Sequence, residues 1–138
     1  SYDVKGTASG ELVGGNISIL YSLLGSKSAI YTKDKILFIE DLDEYLYHID
    51  RMMQNIKRNG YFENLNGLLV GGMTDMHDNE IPFGQNAVQI ITAIAKEYNI
   101  PVCFDFPAGH LKDNRTLIFG KQVDFEVNDK EVKLVFKD

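Results

Sequence analysis

Two ionisable side chains lie just beyond the ends of predicted strands. Glu40 directly follows the apolar run 35–39, and His110 lies a few residues beyond the apolar run 101–104. In open parallel sheets, functional groups gather beyond the carboxyl ends of the strands. A carboxylate bonded to one imidazole nitrogen fixes the tautomer and leaves the other nitrogen free as a general base. From the spacing alone this is a weak signal, and the simpler interpretation is that Glu40 forms a cap or a local salt bridge and that His110 is a polar loop residue.

The other chemistry-bearing residues have simpler interpretations. His48 falls within an amphipathic helical pattern, where a helix flank is the favoured position. Asp75, His77 and Asp78 are residue types that bind metals, but their spacing matches no standard motif and favours a solvated loop. Cys103 lies within an apolar strand and is expected to pack as a small hydrophobic residue.

The glycine-rich segment 14–16 and the acidic run after Glu40 each have two interpretations. Backbone N–H groups of residues 14–16 could bind an anion, but the segment lacks a dinucleotide or P-loop signature, which favours a turn that caps the next helix. Asp43 and Glu44 are expected to lie in the first turn of a helix, where the helix dipole favours negative charge. No serine occupies a G-x-S-x-G elbow, so a serine nucleophile would have to lie outside these 138 residues.

The elements that would position these residues alternate along the middle of the chain. Apolar runs at 35–39, 67–71 and 101–104 alternate with two helical patterns, one that begins at Asp43 and one from Asn86 to Tyr98. This order predicts parallel strands with right-handed crossovers. The alternating tail around residues 128–129 predicts a β-hairpin. Residues 1–16 are predicted to form short extended pieces broken by glycine turns. The prediction is one α/β domain over residues 1–138, with a small parallel sheet, antiparallel hairpins at the ends and a helical layer.

Composition and charge exclude some classes of partner. The chain has a net charge of −6 and no Lys/Arg cluster, which argues against nucleic acid and against docking on anionic lipid. No apolar run approaches the length of a membrane helix, and no export leader is visible. A single cysteine cannot form an internal disulfide, which is typical of a reducing compartment. We therefore expect a cytoplasmic protein.

Four segments resemble one family when taken together and in order. The segments 6–18 (GTASGELVGGNIS), 36–41 (ILFIED), 67–72 (GLLVGG) and 107–110 (PAGH) resemble the C-terminal domain of LD-carboxypeptidases. The resemblance implies a swivelling β/β/α domain of a two-domain serine peptidase that needs no metal or other cofactor. It also implies that Glu40 is the acid and His110 the base of a Ser-His-Glu triad, with Glu44 as the alternative acid. The serine would come from an N-terminal domain that these residues do not include.

The same resemblance implies the substrate and the partners. Murein tetrapeptide carboxypeptidases of this family release the terminal D-alanine in peptidoglycan recycling, and microcin C immunity peptidases cleave a peptidyl-nucleotide. Stacking on a nucleotide base would need an aromatic side chain, for which Phe83 is the candidate. A non-catalytic ligand-binding or assembly domain is the alternative from a different class. Family members commonly form homodimers, and the chain by itself is expected to be inactive.

Overall fold

A computed structural model describes residues 2–107 and 116–137. In this part of the chain, three helices pack against one six-stranded mixed sheet. The elements in chain order are β1 (Gly6–Asn16), α1 (Ile17–Leu23), β2 (Ile36–Leu42), α2 (Leu46–Arg58), β3 (Gly67–Thr74), α3 (Ala87–Ala95), β4 (Val102–Cys103), β5 (Gln122–Val127) and β6 (Val132–Phe136).

The sheet combines a parallel half with an antiparallel half. Its strand order is β4-β3-β2-β1-β5-β6, and the first four strands are parallel to one another. Strands β5 and β6 form the predicted hairpin, and β5 pairs antiparallel with β1. Val4, just before β1, exchanges two backbone hydrogen bonds with Val102 of the edge strand β4, so the sheet curls until it is nearly closed. The predicted α/β class, with its helical layer, is confirmed.

Two apolar clusters hold the sheet and helices together. The first lies between the helices and the outer sheet face, where α2 contributes Ile49, Met53 and Ile56 from one side of the helix. The second lies inside the curled sheet and includes Phe38 and Phe125. Because both faces of β2 are buried, its first four residues, Ile36 to Ile39, form a continuous apolar run rather than an alternating pattern.

The prediction for the N-terminal segment was wrong. The turns predicted at Gly6, Gly10, Gly14 and Gly15 are absent, and these residues belong to the continuous 11-residue strand β1. Gly14 shows why a glycine is needed within a strand. A Cβ atom at this position would lie 1.9 Å from the carbonyl oxygen of Phe38, so glycine permits close approach of β1 and β2.

Two helices are shorter than the sequence predicted. Helix α2 begins at Leu46 rather than Asp43, because Asp43 has a φ of 57° and donates its N–H to the carbonyl of Thr74 instead. Helix α3 was predicted to reach Tyr98 but ends at Ala95. Beyond it the backbone tightens, with Tyr98 N–H bonded to the carbonyl of Ala95, three residues back.

No helix among the described residues has the length and hydropathy needed to span a bilayer. The longest is α2, with 13 residues.

Candidate active site

Glu40 lies at the carboxyl end of β2, in the middle of the parallel half of the sheet. It stands opposite Asn16, the last residue of β1. On its other side the β2–β3 register shifts, so that two glycines of β3, Gly71 and Gly72, oppose this one residue. Such a bulge changes the direction in which side chains point at the end of a sheet. Although it is ionisable, the Glu40 side chain is buried, with the residue only 7% exposed.

Asn16 connects this carboxylate to the first helix. Its Oδ1 accepts a hydrogen bond of 3.2 Å from the N–H of Ile19, which makes Asn16 the N-cap of α1. Because Oδ1 is engaged in the cap, Nδ2 points the other way and donates to Glu40 Oε1 at 3.4 Å and to Asp41 Oδ1 at 3.1 Å. The sequence predicted the cap but not the contact with Glu40.

Asp41 is a second carboxylate at this edge and is more deeply buried than Glu40, at 2% exposure. Its Oδ2 accepts bonds from the Ser18 N–H at 3.0 Å and the Ser18 hydroxyl at 2.7 Å. Its Oδ1 accepts from Asn16, and also from the N–H of Leu42 at 2.8 Å. Each oxygen therefore has two donors, which compensates for burying the charge. Sequence analysis did not identify Asp41 or Ser18 as part of the site.

Glu44, the alternative acid, lies in the segment between β2 and α2. Its Oε1 is 3.1 Å from the Ser18 hydroxyl, and its Oε2 is 2.8 Å from Nδ1 of His48. His48 lies on the flank of α2, as predicted, and its ring meets Tyr21 edge-on at 6.2 Å. Glu44 is thus already paired with an imidazole, and that imidazole belongs to His48.

His110, the predicted base, lies outside the described residues. The chain that leads toward it is placed as far as Pro107. After β4, the N–H of Phe106 donates to the carbonyl of Val70 in β3 at 2.9 Å. Val70 pairs with Ile39, the residue before Glu40. Phe106 therefore lies at the same edge of the sheet as Glu40.

Two of the three residues considered for a metal, His77 and Asp78, are hydrogen-bonded to other residues of the chain. His77 pairs through Nε2 with Asp43. Asp78 Oδ1 accepts the N–H groups of Asn79 and Phe83 and so shapes the loop after β3. Within residues 2–107 and 116–137, no group of three His, Cys, Asp or Glu side chains is arranged to hold a metal ion. The prediction of a solvated loop agrees with the exposure of Asp75, His77 and Asp78.

Cys103 packs as a small hydrophobic residue, as the sequence predicted, and it belongs to the cluster inside the curled sheet. Burial raises the pKa of its thiol to about 12, and the negative charges of Asp3 and Asp105 act in the same direction. A thiol with such a pKa is almost entirely protonated at neutral pH and is a poor nucleophile.

Comparison with known proteins identifies the family. A family model described as the LD-carboxypeptidase C-terminal domain matches residues 9–125, and the chain therefore belongs to this family. A probable murein peptide carboxypeptidase of Bacillus subtilis (strain 168) is 36% identical over 131 residues, which are 92% of this chain and 40% of that protein. The microcin C7 self-immunity protein MccF of Escherichia coli is 25% identical over 134 residues, covering 94% and 38%.

A solved structure agrees with the sequence comparisons. The muramoyltetrapeptide carboxypeptidase from Oxalobacter formigenes has a TM-score of 0.86 at 25% identity, over 99% of this chain and 47% of that one. The resemblance found in the sequence is thereby confirmed at the level of the family. The chain spans less than half the length of each of these three relatives.

Proposed function

We propose that this chain is the C-terminal domain of a serine LD-carboxypeptidase. The whole protein would hydrolyse the bond to the terminal D-alanine of murein tetrapeptide in peptidoglycan recycling. Glu40 and His110 would be the acid and base of the triad, and an N-terminal domain would supply the serine. The observation that carries the proposal is the buried carboxylate of Glu40 at the carboxyl end of β2, with the amide of Asn16 bonded to it.

The proposed chemistry follows from the roles of an acid and a base in acyl transfer. His110 takes the proton of the serine hydroxyl as it attacks the peptide carbonyl, and it later returns that proton to the leaving amine. Glu40 holds the imidazole in the required tautomer and stabilises the cation that forms. Burial strengthens this stabilisation, because opposite charges attract more strongly away from water. The proposed mechanism uses no cofactor.

Two structural details favour Glu40 over Glu44 as the acid. Glu40 is at the end of a central strand, where the neighbouring strands β1 and β3 restrict its position. Glu44 lies beyond the strand and is bonded to His48, which makes it part of a separate acid–imidazole pair.

The substrate assignment rests on the names of two relatives, from Bacillus subtilis and Oxalobacter formigenes, which describe action on murein peptides. Cleavage of a peptidyl-nucleotide is the alternative within the family. The structure gives that alternative no specific support, because Phe83 is half-buried and packs against the helix-side cluster.

We further propose that the whole protein is a cytoplasmic homodimer.

The test is release of D-alanine from a lysine- or diaminopimelate-containing murein tetrapeptide by the full-length protein that the gene encodes. We expect release by the unmodified protein and losses on the order of 10⁴-fold or more in kcat for His110→Ala. Glu40→Gln should also cause a large loss, since an amide cannot stabilise the imidazolium as a carboxylate does.

Glu44→Gln is the matched control, because it makes the same chemical change four residues away. We expect it to retain much more activity than Glu40→Gln. A full-length protein that folds but releases no D-alanine would contradict the proposed substrate. Equal losses in the two glutamine variants would contradict the choice of Glu40, and an unaffected His110→Ala variant would exclude the triad.

A further inference from the structure

We infer that Asp41, which the proposed triad does not use, is a positioning residue that holds Glu40 in place through Asn16. This inference rests on the proposed function, since it assigns Asp41 a part in the work of Glu40. It is drawn from the unusual placement of two adjacent buried carboxylates that share one amide donor.

The shared donor is what links the two carboxylates. Asn16 Nδ2 is 3.1 Å from Asp41 and 3.4 Å from Glu40, so the shorter bond is to the residue outside the triad. Asp41 therefore fixes the amide, and the amide restricts Glu40. Because its oxygen is engaged by the N–H of Ile19, the Asn16 side chain cannot turn without losing the cap of α1.

Asp41 itself is fixed by backbone atoms from two elements. Oδ1 is held by the N–H of Leu42 in β2, and Oδ2 by the N–H of Ser18 in the first turn of α1. The carboxylate thus ties the start of α1 to the end of β2. Both donors belong to regular secondary structure, so they hold Asp41 in one position. Asp41 in turn restricts Glu40 through Asn16.

An amide cannot replace this carboxylate. An asparagine at position 41 would present an NH₂ group at one of its two ends. Each end already faces a backbone N–H, from Leu42 or from Ser18, so one donor would always meet another. Asp41→Asn changes the size of the side chain very little, yet it must lose the hydrogen bond from either the Leu42 N–H or the Ser18 N–H.

The kinetic test uses the full-length protein and D-alanine release. We expect Asp41→Asn to lower kcat by about ten- to a hundredfold, with KM within about twofold, because misplacement of a catalytic group affects the chemical step. Thr32→Val is the control for lost stability, because it removes a buried hydrogen bond of 2.8 Å to the carbonyl of Tyr61 and is not part of the network around Glu40. That variant should lower the melting temperature and leave kcat unchanged.

A double-mutant cycle separates positioning from a general structural role. If Asp41 acts through Glu40, adding Asp41→Asn to the Glu40→Gln variant should lower kcat by less than about twofold. The inference would be overturned if the loss of kcat in the double variant equalled the product of the two single losses. It would also be overturned if Asp41→Asn alone left kcat unchanged. If the unmodified protein releases no D-alanine, the proposed function fails first, and a second measurement then decides the inference.

That second measurement needs no turnover. In the isotope-labelled full-length protein, NMR reports the side-chain NH₂ resonance of Asn16 and the carboxyl ¹³C resonance of Glu40. We expect both to move in Asp41→Asn and to stay in place in Thr32→Val. If the Glu40 resonance does not move in Asp41→Asn, Asp41 does not position Glu40.

Discussion

Replacing Gly14 with alanine tests the close approach of β1 and β2 that brings Asn16 beside Glu40. The new Cβ atom would lie 1.9 Å from the carbonyl oxygen of Phe38 and 2.8 Å from both its carbonyl carbon and its nitrogen. These are backbone atoms of a central strand, so they cannot move aside as a flexible side chain would. Relief of the overlap requires the two strands to separate, and overpacking of this kind costs about 1–3 kcal/mol or more.

The backbone conformation adds a second cost. Gly14 has a φ of 136°, a region that residues with side chains rarely adopt, and such strain costs about 1–3 kcal/mol. The two terms together give a loss of about 2–6 kcal/mol. That is a large part of the total of roughly 5–15 kcal/mol that stabilises a typical domain.

The neighbouring Gly15 provides a matched control. Its φ is 151°, and a Cβ atom there would meet nothing within 4 Å. Gly15→Ala therefore carries a similar conformational cost without the steric overlap. The difference between the two variants isolates the contact between strands, and we expect it to be about 2 kcal/mol.

Urea unfolding followed by circular dichroism measures this difference. With a slope of about 2 kcal/mol per molar urea for a domain of this size, the midpoint of Gly14→Ala should lie about 1 M below that of Gly15→Ala. Equal midpoints would show that β1 and β2 can separate at no cost, and the argument from close approach would then be wrong.

Three further predictions concern the core and a helix terminus. With its pKa raised to about 12, the Cys103 thiol should react with a disulfide reagent roughly a thousandfold more slowly than an exposed cysteine in the folded protein at pH 8, and at the ordinary rate in urea. Because the raised pKa favours the neutral thiol, its contribution to stability is complete below pH 9 and declines toward pH 12. Between pH 9 and 11 the urea midpoint of Cys103→Ala should therefore fall less than that of the unmodified protein. An equal fall of the two midpoints over this range would contradict the prediction. Asn86 forms a capping box with Gln89 at the start of α3, so Asn86→Ala should cost about 1 kcal/mol in urea unfolding, and an unchanged midpoint would show that the cap contributes nothing.

Much of the fold could be predicted because its signals are local. The continuous apolar runs at β2 and β3, the apolar stripe of α2 and the alternating tail each reflect the surroundings of a single element. The hairpin of β5 and β6 was predicted from alternation around a turn, and it is present. Each of these patterns depends only on which faces of that one element are buried.

The failures have a different origin. The glycines of β1 were predicted to form turns, because glycine favours turns when a segment is considered in isolation. At Gly14 the reason for a glycine lies in Phe38, 24 positions away in another strand. The late start of α2 was likewise decided by a distant contact, the hydrogen bond from the Asp43 N–H to the carbonyl of Thr74.

The sequence by itself determined the family, the α/β class and Glu40 as a residue at the end of a buried strand. Only the tertiary structure decided that Asn16 lies beside it and that the Asn16 amide links Glu40 to Asp41. Asn16 precedes Glu40 by 24 positions, and the two meet because β1 and β2 are parallel neighbours in register. Side chains at the ends of parallel strands are brought together by the order and register of the strands, which are properties of the whole sheet rather than of any one segment.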